Sequence, residues 1–250
     1  MLLFCVLLAW AAPAAAQQVQ QEQQPSGGRA WYAGVTAVAA WRPAGAQDYH
    51  YTSQMLGGTT TELIATAGAH VASWASVGGE VSFGIPLTGD LEFNHFLRLT
   101  QSVSYRETFV SAFFRAHATM GRVKLEPLVA AGVAITSTNF TNRLDWNYDY
   151  RYQTWTSTAL PDQSAGAVYP GWGPGVDVTV RCSRTLSITG SGRFYNIRRN
   201  QDINDDNYAG LGNWTYMFGG GIRWTFGQGG RNVRSPAVAR VGGDGKRDSR

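Results

Sequence analysis

From residue 214 to residue 226 the chain alternates almost without a break. Trp214, Tyr216, Phe218, Ile222, Trp224 and Phe226 occupy one parity, interrupted only by Gly220, and the other parity is small or polar apart from Met217. Successive residues of a strand point to opposite faces, so this stretch predicts a strand with one aromatic stripe and one polar stripe. Residues 31–42 repeat the design: Trp31, Ala33, Val35, Ala37, Ala39 and Trp41 share a face, with tryptophan at both ends of a slimmer middle. A spacing of about ten residues between aromatic ends is that of a tilted strand crossing a bilayer between two interfacial girdles. The girdle residues predicted are Trp31, Trp41, Trp214, Trp224 and Phe226.

Six further alternating segments are read at 70–86, 91–105, 108–118, 122–137, about 175–182, and 185–197. Pro127 lies inside the fifth segment of the series and demands a bulge or a position where no N–H is needed. The connections are long at 43–69 and 138–174, moderate at 198–213, and short at 87–90, 119–122 and 183–184, with a short-to-moderate one near 106. Tight turns thus alternate with a set that includes all the long loops. This segregation predicts an all-β protein: an eight-stranded antiparallel transmembrane β-barrel, an up-and-down meander with both ends on the side of the short turns. A soluble sandwich has no reason to sort its loops in this way.

The flanks read differently. Residues 1–16 form an apolar run ending in Ala14-Ala15-Ala16, the pattern of a signal peptide with cleavage after Ala16, although no Lys or Arg precedes the run. Residues 17–29 read as a flexible glutamine-rich leader, 30–226 as the barrel, and 227–250 as a disordered basic tail. The tail carries six basic residues against two acidic ones, which accounts for the whole formal charge of +4. The barrel is therefore neutral, and its charge gives no reason to expect nucleic acid as a partner. Cys5 leaves with the signal, so Cys182 remains alone and no internal disulfide is possible. Only 15% of residues are charged while 9 Trp, 11 Tyr and 11 Phe are present, and no internal run approaches the roughly 18 apolar residues of a membrane helix.

The last strand carries the most specific resemblance. Gly221-Ile-Arg-Trp-Thr-Phe226 resembles the glycine-x-x-aromatic-x-aromatic signal read by the barrel assembly machinery. With the strand pattern, it makes residues 30–226 similar to the small eight-stranded outer-membrane proteins, the OmpA-transmembrane/OmpX-like superfamily. The resemblance implies the cell outer membrane of a diderm bacterium, with outer-membrane lipid, lipopolysaccharide and the assembly machinery as partners. The departure is that 24 residues follow a signal that usually ends the protein.

Alternation places Glu80, Glu92, Arg98, Arg115, Lys124, Glu126, Asp177, Arg181, Arg193 and Arg223 on the lumen side. The interior of an eight-stranded barrel is just wide enough for side chains to fill it, so these charges predict a salt-bridged plug; a narrow gated ion path is the alternative. A second alternative is a lipid hydrolase: small lipid A deacylases of this architecture use a His and a Ser two residues apart, with a Glu. Among His50, His70, His95 and His117, only His117-Ala118-Thr119 approaches that spacing, and by parity it faces the lumen. No metal-ligand spacing or cofactor motif is present, and the acidic loop 200–207 does not match a calcium loop. The alternating run Trp146, Tyr148, Tyr150 and Tyr152, with Trp155 beyond it, predicts a hairpin projecting outside the membrane. Flat rings among polar neighbours suit an extracellular glycan or protein. The expected function is non-enzymatic: a structural or surface-interaction barrel.

Overall fold

The computed structural model describes residues 30–45, 52–54, 56–94, 98–199 and 211–226. The predicted signal, leader and tail lie outside these residues. The strand segments are β1 (Trp31–Arg42), β2 (Thr52–Gln54), β3 (Gly58–Ala72), β4 (Ala75–Gly84), β5 (Leu87–Asn94), β6 (Arg98–Ala116), β7 (Ala118–Met120), β8 (Val123–Asp149), β9 (Thr154–Ala159), β10 (Gln163–Arg181), β11 (Leu186–Ile197) and β12 (Trp214–Phe226). Eight of them close a ring in the order β1, β3, β4, β6, β8, β10, β11, β12 and back to β1, every pair antiparallel. Closure leaves no unpaired sheet edge, which a spanning sheet in lipid requires.

The other segments extend the ring. β5 continues β4 along β6, and the pairing slips by one residue across Ile85-Pro86. β7 continues β6 along β8 after a break at His117. β9 lengthens the β8–β10 hairpin, and β2 pairs with β5. Residues 73–74, 121–122 and 182–185 make the tight turns at one end, where Gly121 has φ of +62°. The connections at the opposite end are longer. We refer to these as the turn end and the loop end; β1 starts and β12 finishes at the turn end.

Eight strands is the number expected, but two strand assignments differ. β3 falls in a region expected to be the long 43–69 loop. Its exposed outward positions are Thr59, Thr61, Leu63, Ala65, Ala67 and Val71, with Ala69 of the same parity buried, and most are too small to register as an apolar stripe. The expected 70–86 segment instead contains the end of β3, a turn at Ser73-Trp74, and β4. Residues 91–105 and 108–118 were expected as two strands. The structure assigns 91–94 to β5 and runs β6 unbroken through Arg106-Glu107, because Glu107 turns into the lumen instead of making a turn. The missed strand and the split strand cancel.

The 91–105 region also reverses its expected facing. Leu91, Val103 and Tyr105 are buried inside, while Ser102 and Ser104 share the outward parity. This part of the wall rises past the apolar belt, where the surroundings are water and the ordinary apolar-in, polar-out rule returns. On β8 the change is visible along one strand: Leu125, Val129, Val133 and Ile135 are exposed outward, then Ser137 and Asn139 take their place. Leu125 to Ile135 matches the roughly ten tilted residues that a bilayer crossing needs. The membrane-level lumen packs Ile64, Phe109, Leu128, Ile197 and Met217, and a second apolar group (Leu56, Leu87, Leu91, Val103, Phe140 and Leu211) covers the loop end.

Pro127 makes no bulge against β10, where it pairs in register with Val176. Its missing N–H instead falls at the ladder gap between the Arg115–Leu128 and Ala118–Leu125 pairs. At the β1–β12 seam the small residues are required by space. A Cβ added to Gly219 would lie 1.9 Å from the Ala37 carbonyl oxygen, and one on Gly221 would lie 2.0 Å from that of Val35. Only glycine admits so close an approach of the neighbouring backbone.

Candidate functional site: a two-layer charged lumen and an aromatic hairpin

The lumen faces of all eight ring strands bring buried charges into two layers. Toward the turn end lie Glu80 on β4, Arg115 on β6, Glu126 on β8, Asp177 on β10, Arg193 on β11 and Arg223 on β12. Arg193 bridges two carboxylates, its Nη1 2.7 Å from Asp177 Oδ1 and its Nη2 3.2 Å from Glu80 Oε2. Arg223 donates to Glu126 Oε2 and, at 2.9 Å, to Asp177 Oδ2. Arg115, fully buried, places Nη2 2.8 Å from Asp177 Oδ2 and sits 4.6 Å over the Phe113 ring and 5.3 Å over that of Tyr32. Hydroxyls fill the remaining acceptor sites: Tyr195 donates to Glu80, Thr179 to Glu126 at 2.8 Å, and Ser191 to Asp177 at 2.8 Å. Three guanidiniums therefore balance three carboxylates in this layer.

A second layer lies toward the loop end, built from Arg42, Glu62, Glu107 and Arg199, none of which was among the expected lumen charges. Glu107 Oε1 is 3.1 Å from Arg42 Nη2, its Oε2 is 2.7 Å from Arg199 Nη2, and Arg42 also bridges to Glu62. Tyr105 OH donates to Glu107 at 2.6 Å, and Arg199 reaches Thr215 Oγ1 at 2.7 Å. Two bases again meet two acids. Three of the four residues come from stretches read as connections, so parity was never applied to them. Arg42 alone carried a usable signal, since it shares the face of Tyr32 and Thr36.

Between the layers every path along the wall is apolar or glycine-lined at some point. Met217 separates Thr215 from Arg223, Tyr195 and Ile197 separate Arg193 from Arg199, and Ile64 follows Glu62. The lumen is a stack of charge, hydrocarbon, charge and hydrocarbon.

Other expected residues fall elsewhere. Arg181 is exposed at the turn end and joins no ion pair among the described residues, because it lies one step beyond the buried Asp177–Thr179 stretch of its stripe. Glu92 and Lys124 are half-buried. The side chain of Arg98 lies outside the described residues, as do His50 and His95. His117 faces inward, with Nδ1 2.8 Å from Glu126 Oε1 and its ring 4.9 Å from that of His70, while Thr119 is exposed.

Trp31, Trp41, Trp214, Trp224 and Phe226 all lie on the outer surface, and Trp31 pairs directly with Phe226 across the seam. Trp41 stacks on Tyr216 with ring centres 5.1 Å apart. Val35, Val77, Phe83, Phe114, Val133, Trp172, Val178 and Ile188 carry the exposed apolar wall around the ring between these levels.

The β8–β9 hairpin stands beyond that wall. Tyr150 is 85% exposed, Tyr152 67% and Trp155 52%. Tyr148 packs edge-on to Tyr150 at 5.0 Å and tilted to Trp155 at 5.2 Å, so these three rings form one connected surface, while Tyr152 lies under the Arg151 guanidinium at 5.7 Å. Asp149 Oδ1 accepts the N–H of Arg151 at 2.8 Å and fixes the tip in an Asx turn. Trp146 is not part of this surface: its Nε1 donates to Thr100 Oγ1 at 3.0 Å, anchoring the hairpin base to β6.

A closed ring with hydrocarbon outside and paired charge inside is the inverse of a soluble barrel, and it defines the class: an outer-membrane β-barrel of eight strands. No family model matches the chain, and no curated protein matches it. Solved structures resemble it in outline. Neisserial surface protein A is 12% identical, with a TM-score of 0.47, covering 79% of this chain and 99% of that one. Ail, the attachment invasion locus protein of Yersinia pestis, is 8% identical with a TM-score of 0.44, covering 80% of this chain and 99% of that one. The outer membrane protein OprG of Pseudomonas aeruginosa is 14% identical with a TM-score of 0.40, covering 80% of this chain and 97% of that one. Likeness at that level transfers neither ligand nor activity.

Proposed function

We propose that this barrel is a closed, non-enzymatic membrane anchor that presents the β8–β9 hairpin as an extracellular contact surface for carbohydrate. The observation that carries the proposal is the hairpin itself. β8 runs for 27 residues, far beyond the roughly ten needed to cross, and ends in rings exposed to water instead of folded onto the barrel. Four ring faces flanked by Asn147, Asp149 and Arg151 combine stacking area with hydrogen-bonding groups at the edge, which is what a sugar ring requires. Orientation follows from the loops: short turns and both strand termini on the periplasmic side, long connections outside.

Two features support the closed and non-enzymatic parts. An ion entering the lumen meets hydrocarbon between two charge layers, in each of which bases and acids are ion-paired with one another. The histidine nearest to a nucleophile spacing, His117, is engaged by Glu126 instead of Thr119.

The test is adhesion of cells displaying the parent or the triple variant Tyr150→Ser/Tyr152→Ser/Trp155→Ser to glycan-coated and protein-coated surfaces. Each ring contributes about 0.5–1.5 kcal/mol of stacking, so the triple variant should lose at least about tenfold in glycan binding. Folding should be unchanged because these side chains are exposed. Equal glycan binding by parent and variant refutes the proposal, and loss confined to protein-coated surfaces reassigns the partner.

A further inference from the structure

The turn end holds a recess that borders the plug and shares Glu126, Thr179 and Arg223 with it. It has an empty volume of about 500 Å³, including open solvent at its mouth, and opens on the side where β1 begins and β12 ends. Arg122, Lys124, Arg181 and Arg184 line it together with Arg223, and Glu126 is the sole acid in the lining. Both Glu126 oxygens are already engaged, one by His117 and the other by Arg223 and Thr179.

The strand register explains the convergence. Arg181 continues the lumen stripe of Asp177 and Thr179, and Lys124 and Arg122 continue that of Glu126, each extending past the membrane level. The Arg181 N–H donates to the Arg122 carbonyl at 2.9 Å, which sets these two residues opposite each other at the mouth. Arg181 also pairs across the sheet with Ser187, and Ser187 with Arg223, so the floor of the recess is continuous across β10, β11 and β12. Arg122, Arg181 and Arg184 are all exposed. The acids and bases of the plug layers balance one another, so the plug does not offset the charge of Arg122, Arg181 and Arg184.

We infer that this recess is an anion site for phosphate groups. Guanidinium forks match tetrahedral oxyanions in a bidentate way, and the Ser187 and Thr225 hydroxyls in the lining add neutral donors. The exposed Trp31, Trp74 and Phe226 mark the adjacent membrane interface, so the recess stands at the level of inner-leaflet headgroups as well as facing the periplasmic solution. The shared chemistry is a phosphate ester or free phosphate, and the source is separated by experiment.

The full-length folded protein is placed in nanodiscs, and two variants are compared with the parent. One is Arg122→Gln/Arg181→Gln/Arg184→Gln, and the other is Arg184→Glu alone, in an exposed turn where folding is not at stake. Heat-modifiable gel migration checks folding of each. Pyrophosphate binding is titrated calorimetrically in discs of zwitterionic lipid, and co-purification of phosphatidylglycerol against phosphatidylethanolamine is measured from mixed-lipid micelles. Saturable pyrophosphate binding that weakens at least tenfold in the triple variant, and falls with salt, identifies a soluble phosphate ligand. Preferential phosphatidylglycerol retention lost in both variants identifies a lipid headgroup. Absence of both in the parent, or both persisting unchanged in the triple variant, overturns the inference.

Discussion

Replacing Arg193 by Met tests whether the lumen is held by charge pairing. Its guanidinium lies against Glu80 at 3.2 Å and Asp177 at 2.7 Å, and all three side chains are at most 2% exposed. Asp177 keeps Arg115, Arg223 and the Ser191 hydroxyl when Arg193 is removed, but Glu80 retains only the Tyr195 hydroxyl among the partners described here. The variant therefore strands one buried carboxylate more severely than the other. Removing one partner of a buried pair costs about 3–5 kcal/mol, because the remaining charge is desolvated without compensation. At 1.4 kcal/mol per decade, that is a change of roughly 100- to 4000-fold in the unfolding equilibrium. Urea titration of the barrel in liposomes, followed by tryptophan fluorescence, reads the difference directly. The partner variant Glu80→Gln/Arg193→Met removes the stranded charge and should recover more than half of the loss. The pair energetics are refuted if Arg193→Met unfolds within about 0.5 kcal/mol of the parent, or if the double variant is as unstable as the sum of the two single ones.

Four shorter expectations follow from other parts of the structure. Gly219→Ala places a methyl group against the Ala37 carbonyl and should abolish the heat-modifiable folded form, whereas Gly220→Ala, whose nearest neighbour would be 3.6 Å away, should fold normally; equal behaviour contradicts the seam geometry. Glu107→Gln leaves Arg42 and Arg199 without their shared carboxylate and should cost about 3 kcal/mol in the same urea assay, with no loss arguing that the outer layer is solvated. The parent protein should show no unit conductance steps in planar bilayers; steps that persist in a purified, fully folded sample would refute a closed lumen. Trp146→Phe removes the hydrogen bond to Thr100 and should loosen the hairpin, lowering glycan binding without altering the unfolding midpoint by more than about 1 kcal/mol.

The parts of this protein that the sequence determined by itself are those ruled by alternation. Period-2 patterning and a bracket of aromatic residues are local properties, and lipid rewards them strand by strand, so β1, β8 and β12 were legible wherever their outward faces were large and apolar. The same parity placed Glu80, Arg115, Glu126, Asp177, Arg193 and Arg223 inside. β3 escaped because its lipid face is alanine and threonine, which bury well in a closed wall without producing a strong apolar stripe. The upper half of β6 misled because alternation reports two faces and says nothing about which solvent lies outside; above the membrane the same pattern points the other way. Only the tertiary structure decided that Arg42, Glu62, Glu107 and Arg199 meet, since ring closure and strand stagger bring together positions up to 157 residues apart in number, from Arg42 to Arg199. It also decided that hydrocarbon separates the two charged layers, and that Arg122, Arg181 and Arg184, from strand ends and tight turns, gather at one mouth. Pairing of buried charge depends on distance across the lumen, and that distance is set by how the sheet closes.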